Sequence, residues 1–189
     1  MNSAILTMIE KRGIYTESQM NVIRYAWLSI RNDLLKLLIL TLLAIVIGVW
    51  KQFALVMISY TGIRFFIGGI HKKTFFSCLI DTAAWIGSAM YGASLLTSHG
   101  CGIIMLLELL ATALIGLFGP VQSPNRKEMD NRTSNRRRIL AIGICLTIVG
   151  LTGFTLIPTS VSAYLCAGMV VEGLQASIIK TQRRIDHDG

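Results

Sequence analysis

Apolar residues in this chain fall into six runs separated by short polar stretches, and no run contains more than one charged residue. A helix rises about 1.5 Å per residue and needs about 20 apolar residues to cross a bilayer core of about 30 Å. The pattern therefore predicts an all-α integral membrane protein with about six transmembrane helices, in which the short second run can instead be a re-entrant segment. The predicted spans are 34–50, 52–67, 79–97, 101–118, 139–157 and 161–179.

Residues 1–33 precede these spans and mix apolar with charged side chains. Ile23, Trp27 and Ile30 recur at helical spacing. We expect an amphipathic segment that either lies on the inner leaflet or packs against the bundle. Residues 1–189 then form a single polytopic domain.

Charge fixes the predicted orientation of the spans. Charged residues make up 15% of the chain, against about 25% in a soluble domain. If the N-terminus is cytoplasmic, every lysine and arginine except Lys51 falls on the cytoplasmic side. We therefore predict a multi-pass protein of the cell membrane with both termini inside. The net charge of +8 is then assigned to membrane flanks and lipid contact rather than to nucleic acid.

Candidate chemistry is concentrated near the start of the third span. Arg64, His71, Cys78 and Asp81 fall within 18 residues of one another. A cysteine attacks carbonyls as the thiolate, and a nearby imidazole can accept its proton. No CxxC spacing and no His-Glu-x-x-His motif is present, so neither a metal nor another cofactor is expected.

A single helix cannot pair His71 with Cys78, because seven residues separate them by about 10.5 Å along the axis. Gly68 and Gly69 permit a non-helical turn, since glycine tolerates positive φ. The turn would return His71 toward Cys78 at the cytoplasmic boundary. From spacing alone, a loop histidine and an inert buried cysteine remain the alternative.

Two further charges can assist such a pair. Asp81 lies one turn after Cys78 and can orient His71 or pair with Arg64. Arg64 can stabilise an oxyanion or hold a substrate carboxylate.

The string Arg-x-x-x-Gly-Gly-x-His-x6-Cys, formed by Arg64, Gly68, Gly69, His71 and Cys78, resembles the accessory gene regulator B (AgrB) family. That family consists of bacterial membrane cysteine endopeptidases that process quorum-sensing propeptides. The resemblance implies that Cys78 is the nucleophile and His71 the general base and later acid, at the cytoplasmic face. It also implies an AgrD-like propeptide as partner, with an amphipathic leader and an acidic tail. Loss of the tail would leave a thioester on Cys78, and cyclisation would give a thiolactone or lactone.

Several interpretations stay open at this level. The basic loop predicted at 119–138 either reflects ordinary topology, or its Arg136, Arg137 and Arg138 also receive the acidic tail. Glu108 and Glu172 can serve packing, substrate contact or a homodimer, and we place neither in the catalytic site. The competing function is a non-enzymatic membrane accessory protein or a peptide-export component.

Overall fold

A computed structural model describes Met8 and residues 15–69, 74–121 and 130–188 of the chain. Within these ranges the fold is entirely helical and contains no strand. The chain divides into two compact units, residues 1–46 and 47–189. The helices are α1 (Glu17–Ile47), α2 (Trp50–Ile67), α3 (Phe75–Leu96), α4 (Cys101–Phe118), α5 (Asn131–Gly153) and α6 (Thr159–Asp188).

Helix α1 accounts for nearly all of the described first unit. Thr16 and Gln19 form a reciprocal capping box at its start, with N–H to side-chain distances of 2.9 and 3.4 Å. The helix contains no glycine or proline before Gly48, so nothing interrupts it between the predicted surface segment and the predicted first span. One continuous helix runs through residue 33, where the surface segment was expected to meet the first span, and Lys36 pairs within it with Asp33 at 2.6 Å. The division at residue 33 stays a prediction.

The second unit is a bundle of five helices organised around α6. Helix α6 packs against α2, α3 and α4, while α5 packs against α4 and α2. Gly168 lets α6 approach α2 closely, because a Cβ there would lie 2.7 Å from the Val56 carbonyl oxygen and against Ser59 Oγ. The C-terminal ends of α2, α4 and α6 meet at one end of the bundle, because the Val121 N–H donates to the Ile67 carbonyl and Lys180 Nζ donates to the Leu117 carbonyl.

The surface of this bundle differs from that of a soluble protein, because it exposes many large apolar side chains. Large apolar side chains such as Ile58, Leu106 and Leu117 are exposed, whereas Glu108 and Glu172 are fully buried. This arrangement is typical of a helical protein surrounded by lipid. Two helices in the described ranges, Cys101–Phe118 and Thr159–Gln182, are long and apolar enough to cross a membrane. The full count of six spans and their sidedness stay predictions.

The basic segment differs from its predicted form. Helix α5 begins at Asn131, and no glycine or proline follows until Gly143, so the predicted loop at 119–138 ends earlier than expected. Arg136, Arg137 and Arg138 therefore lie on the second turn of a helix, not in a loop. Residues 122–129 of the predicted loop lie outside the described ranges.

Candidate active site

The glycine pair marks the end of α2. The helix stops at Ile67, and Gly68 takes φ +80° and ψ −168°, a region that is nearly restricted to glycine. The Gly68 N–H still donates to the Arg64 carbonyl at 2.7 Å. A Cβ on Gly68 would lie 2.6 Å from the carbonyl oxygen of Val121. Both the backbone angles and the space therefore require glycine at this position.

A short segment after α4 holds this turn in place. The Val121 N–H donates to the Ile67 carbonyl at 2.7 Å. Arg138 Nε donates to the Gly119 carbonyl at 2.9 Å, and Lys180 Nζ donates to the Leu117 carbonyl at 3.2 Å. Cations from α5 and α6 thus satisfy carbonyl groups at and just beyond the C-terminus of α4. The ends of four helices are connected around residues 119–121.

Cys78 lies on the first turns of α3, on the far side of the glycine pair in sequence. Thr74 caps this helix: its Oγ1 accepts from the Ser77 N–H at 3.2 Å, and its carbonyl accepts from the Cys78 N–H at 3.1 Å. The Cys78 side chain is 9% exposed.

Arg64 stands at the centre of a buried polar network between α2 and α6. Its Nη1 donates to Gln175 Oε1 at 2.7 Å and to the Tyr60 hydroxyl at 2.8 Å. Glu172 Oε2 lies 3.5 Å from the same nitrogen. On its other side the guanidinium faces Gly69, where a Cβ would lie 2.5 Å from Nη2. Arg64 therefore joins α6 to the backbone of the glycine pair.

The remaining predicted site residues are placed as follows. His71 lies outside the described ranges, so its pairing with Cys78 stays a prediction. Asp81 is half-buried on α3, one turn after Cys78. Arg136 is exposed.

Sequence reasoning missed three residues of the Arg64 network. Tyr60 precedes Arg64 by four residues, and Glu172 and Gln175 are three apart, so each pair shares one helix face. Glu172, which the sequence analysis left outside the catalytic site, contacts Arg64, and its place relative to the catalytic site stays a prediction. The available signal in the sequence was the helical spacing of polar residues inside two apolar runs. The sequence alone does not show that α2 packs on α6, and so it does not show that these residues meet.

A second cysteine and a second histidine, Cys101 and His99, lie two residues apart in sequence at the start of α4. Cys101 Sγ donates to the Thr152 carbonyl at 3.2 Å, and His99 Nδ1 lies 2.9 Å from the Leu95 carbonyl oxygen. Cys145 and Cys166 are buried in the core of the bundle. Among the described residues, no group of three or more His, Cys, Asp and Glu side chains is placed to hold a metal ion.

Comparison with known proteins identifies the family. The family model for accessory gene regulator B matches residues 2–179, nearly the whole chain. The chain belongs to the AgrB family. AgrB proteins are associated with the membrane and with processing of the agr quorum-sensing propeptide. Searches of the curated proteins and of the solved structures gave no match.

Proposed function

We propose that this chain is a membrane cysteine endopeptidase that removes the C-terminal tail of an AgrD-like propeptide and promotes cyclisation of the remaining peptide. The observation that carries the proposal is the placement of Cys78. It is buried on a capped first turn directly after the glycine-rich segment, in a chain that matches AgrB over residues 2–179. Family membership supports a peptide substrate.

The first chemical step cleaves the peptide bond. His71 takes the proton from the Cys78 thiol, and the thiolate attacks the scissile carbonyl carbon. The carbon–nitrogen bond then breaks, and the leaving amine of the tail takes the proton from His71. The N-terminal part of the propeptide remains as a thioester on Cys78.

The second step closes the ring. A cysteine or serine side chain within the bound peptide gives its proton to His71 and attacks the thioester carbonyl carbon. The carbon–sulfur bond to Cys78 then breaks, and the sulfur takes the proton back from His71. Exchange of one thioester for another is near thermoneutral, whereas hydrolysis is downhill, so the site has to limit water. Holding both ends of the peptide close together raises their effective concentration.

Supporting roles are proposed for residues near Cys78 in the sequence and for Arg64. Asp81, one turn along α3, is assigned to orient His71. Gly68 and Gly69 are assigned to the turn that leads to His71, and Arg64 to the support of that turn. The site is assigned to the cytoplasmic face of a multi-pass cell-membrane protein because the lysine and arginine residues are concentrated at this end of the bundle.

A trapped acyl-enzyme tests the proposal. The ring-forming residue of an N-terminally tagged propeptide is replaced by alanine, so that the thioester cannot be resolved by cyclisation. Co-expression should then give a tagged band at the mass of this protein plus the N-terminal fragment, and neutral hydroxylamine should remove it. Cleavage without such an adduct would exclude the covalent route. No cleavage of the unmodified propeptide would favour the accessory or export alternative.

The basic turn of α5 is proposed to attract the acidic tail of the propeptide. Because Arg138 is committed to the Gly119 carbonyl, the test uses Arg136→Gln/Arg137→Gln and leaves Arg138 in place. We expect KM to rise several-fold at low salt with little change in kcat, and the dependence of processing on salt to weaken. Processing is measured in membrane vesicles across a range of NaCl concentrations.

Arg183→Gln/Arg184→Gln is the matched control, since it removes two cations from another segment predicted on the same side. It should leave the salt dependence unchanged. If both double variants behave like the wild type, the arginines of α5 serve only topology and lipid contact.

A further inference from the structure

Glu172 and Gln175 belong to the last helix, far in sequence from the proposed nucleophile, yet both contact Arg64. The Arg64 side chain is 26% exposed and the Glu172 side chain only 2%. Removing a carboxylate from water costs several kcal/mol unless a close partner offsets the cost. The Arg64–Glu172 pair is therefore costly to bury, and the position of the guanidinium indicates what the pair contributes.

That geometry aims the guanidinium at one point of the backbone. Nη1 is held by Gln175, Tyr60 and Glu172, which fixes the plane of the group. Nη2 then lies so close to Gly69 that a Cβ on this residue would be 2.5 Å from it. Gly69 is the last described residue before His71, two positions later in the sequence. The position of Arg64 thus restricts where the chain can leave α2.

We propose that Glu172 and Gln175 are positioning residues, which hold the Arg64 guanidinium against Gly69 and so fix the approach of the His71 segment to Cys78. They act through Arg64 and do not touch the reacting atoms. The inference rests on the proposed function, because it assumes that His71 serves Cys78. It assigns α6, which packs on the four other helices of the bundle, the task of positioning the catalytic turn.

The bundle offers a matched control for Glu172. Glu108 is a second buried glutamate, 0% exposed, whose Oε1 accepts from Thr152 Oγ1 at 2.9 Å. It lies on α4, in a separate network from Arg64. Glu172→Gln and Glu108→Gln make the same chemical change at two buried sites. A general cost of altering a buried acid should therefore appear in both variants.

The experiment compares propeptide cleavage with the pH dependence of Cys78 alkylation in full-length protein in membranes. Alkylation by iodoacetamide is followed on the Cys78 peptide by mass spectrometry. In His71→Ala the alkylation profile should move to higher pH. Glu172→Gln should lower kcat by about 10- to 100-fold and move the profile in the same direction, because small displacements of catalytic groups have effects of this size. Gln175→Met should do the same to a smaller extent.

The two failures are distinguishable. If His71→Ala leaves the alkylation profile unchanged, the pairing in the proposed function is wrong. If His71→Ala shifts the profile but Glu172→Gln does not, the positioning role is wrong while the proposed function stands. Equal losses of kcat in Glu172→Gln and Glu108→Gln, with equal losses of thermal stability and no profile shift, would also overturn the positioning role. Arg64→Gln combined with Glu172→Gln should be no slower than Arg64→Gln alone, since Glu172 acts through Arg64.

Discussion

Cys78→Ala is expected to abolish propeptide cleavage, to below about a thousandth of the wild-type rate, because removal of a covalent nucleophile leaves only binding and electrostatic stabilisation. The protein itself should fold, since alanine fits the first turns of α3 and keeps the N–H that donates to the Thr74 carbonyl. Cleavage is measured on a tagged propeptide in membranes, with the amount of this protein determined on the same sample.

The chain supplies an internal control for this result. Cys101 and His99 lie two residues apart in sequence, and each contacts a backbone carbonyl. Cys101→Ala/His99→Ala should retain cleavage close to the wild-type rate. If this double variant loses cleavage while Cys78→Ala retains it, the nucleophile has been assigned to the wrong end of the bundle.

The helical architecture could largely be predicted from the sequence, because continuous apolar runs indicate membrane helices. The start of α4 at Cys101 and the end of α2 at Ile67 coincide with the predicted runs, whereas α2 begins at Trp50, two residues before its predicted run. Helix α1 continues across residue 33, and α5 begins within the basic segment, because neither stretch contains a residue that breaks a helix. In both places the polar composition suggests an end to the helix, but the residues have no strong tendency to break one, and the helix continues.

The site divides along a similar line. Residues close in sequence, such as Gly68 and Cys78, were identifiable from a local motif. Glu172 and Gln175 were not, because their relation to Arg64 depends on which faces of α2 and α6 pack together. Single glutamates inside apolar runs predict a buried role but carry no information about the partner. The close packing of α6 on α2 at Gly168 brings the face with Arg64 and the face with Glu172 together.

Gly68→Ala is the second substitution expected to have a large effect. At φ +80° and ψ −168° an alanine would cost about 1–3 kcal/mol of strain, and its Cβ would meet the Val121 carbonyl oxygen. The backbone has to shift, and Val121 N–H then loses its bond to the Ile67 carbonyl. Because the His71 segment follows directly, we expect cleavage to fall by about 100-fold. The measurement is the cleavage rate per unit of folded protein.

Two comparison variants separate this conformational explanation from a simple loss of stability. Gly62→Ala lies in the middle of α2 with open space around its Cβ, so it should leave cleavage unchanged. Gly68→Asn is the sharper comparison, because asparagine tolerates the left-handed helical region but not the extended region at positive φ that Gly68 occupies. Both Gly68 variants should therefore be impaired. Restoration of cleavage by asparagine would show that the active turn is left-handed helical, and the assignment of Gly68 to this strained turn would then be wrong.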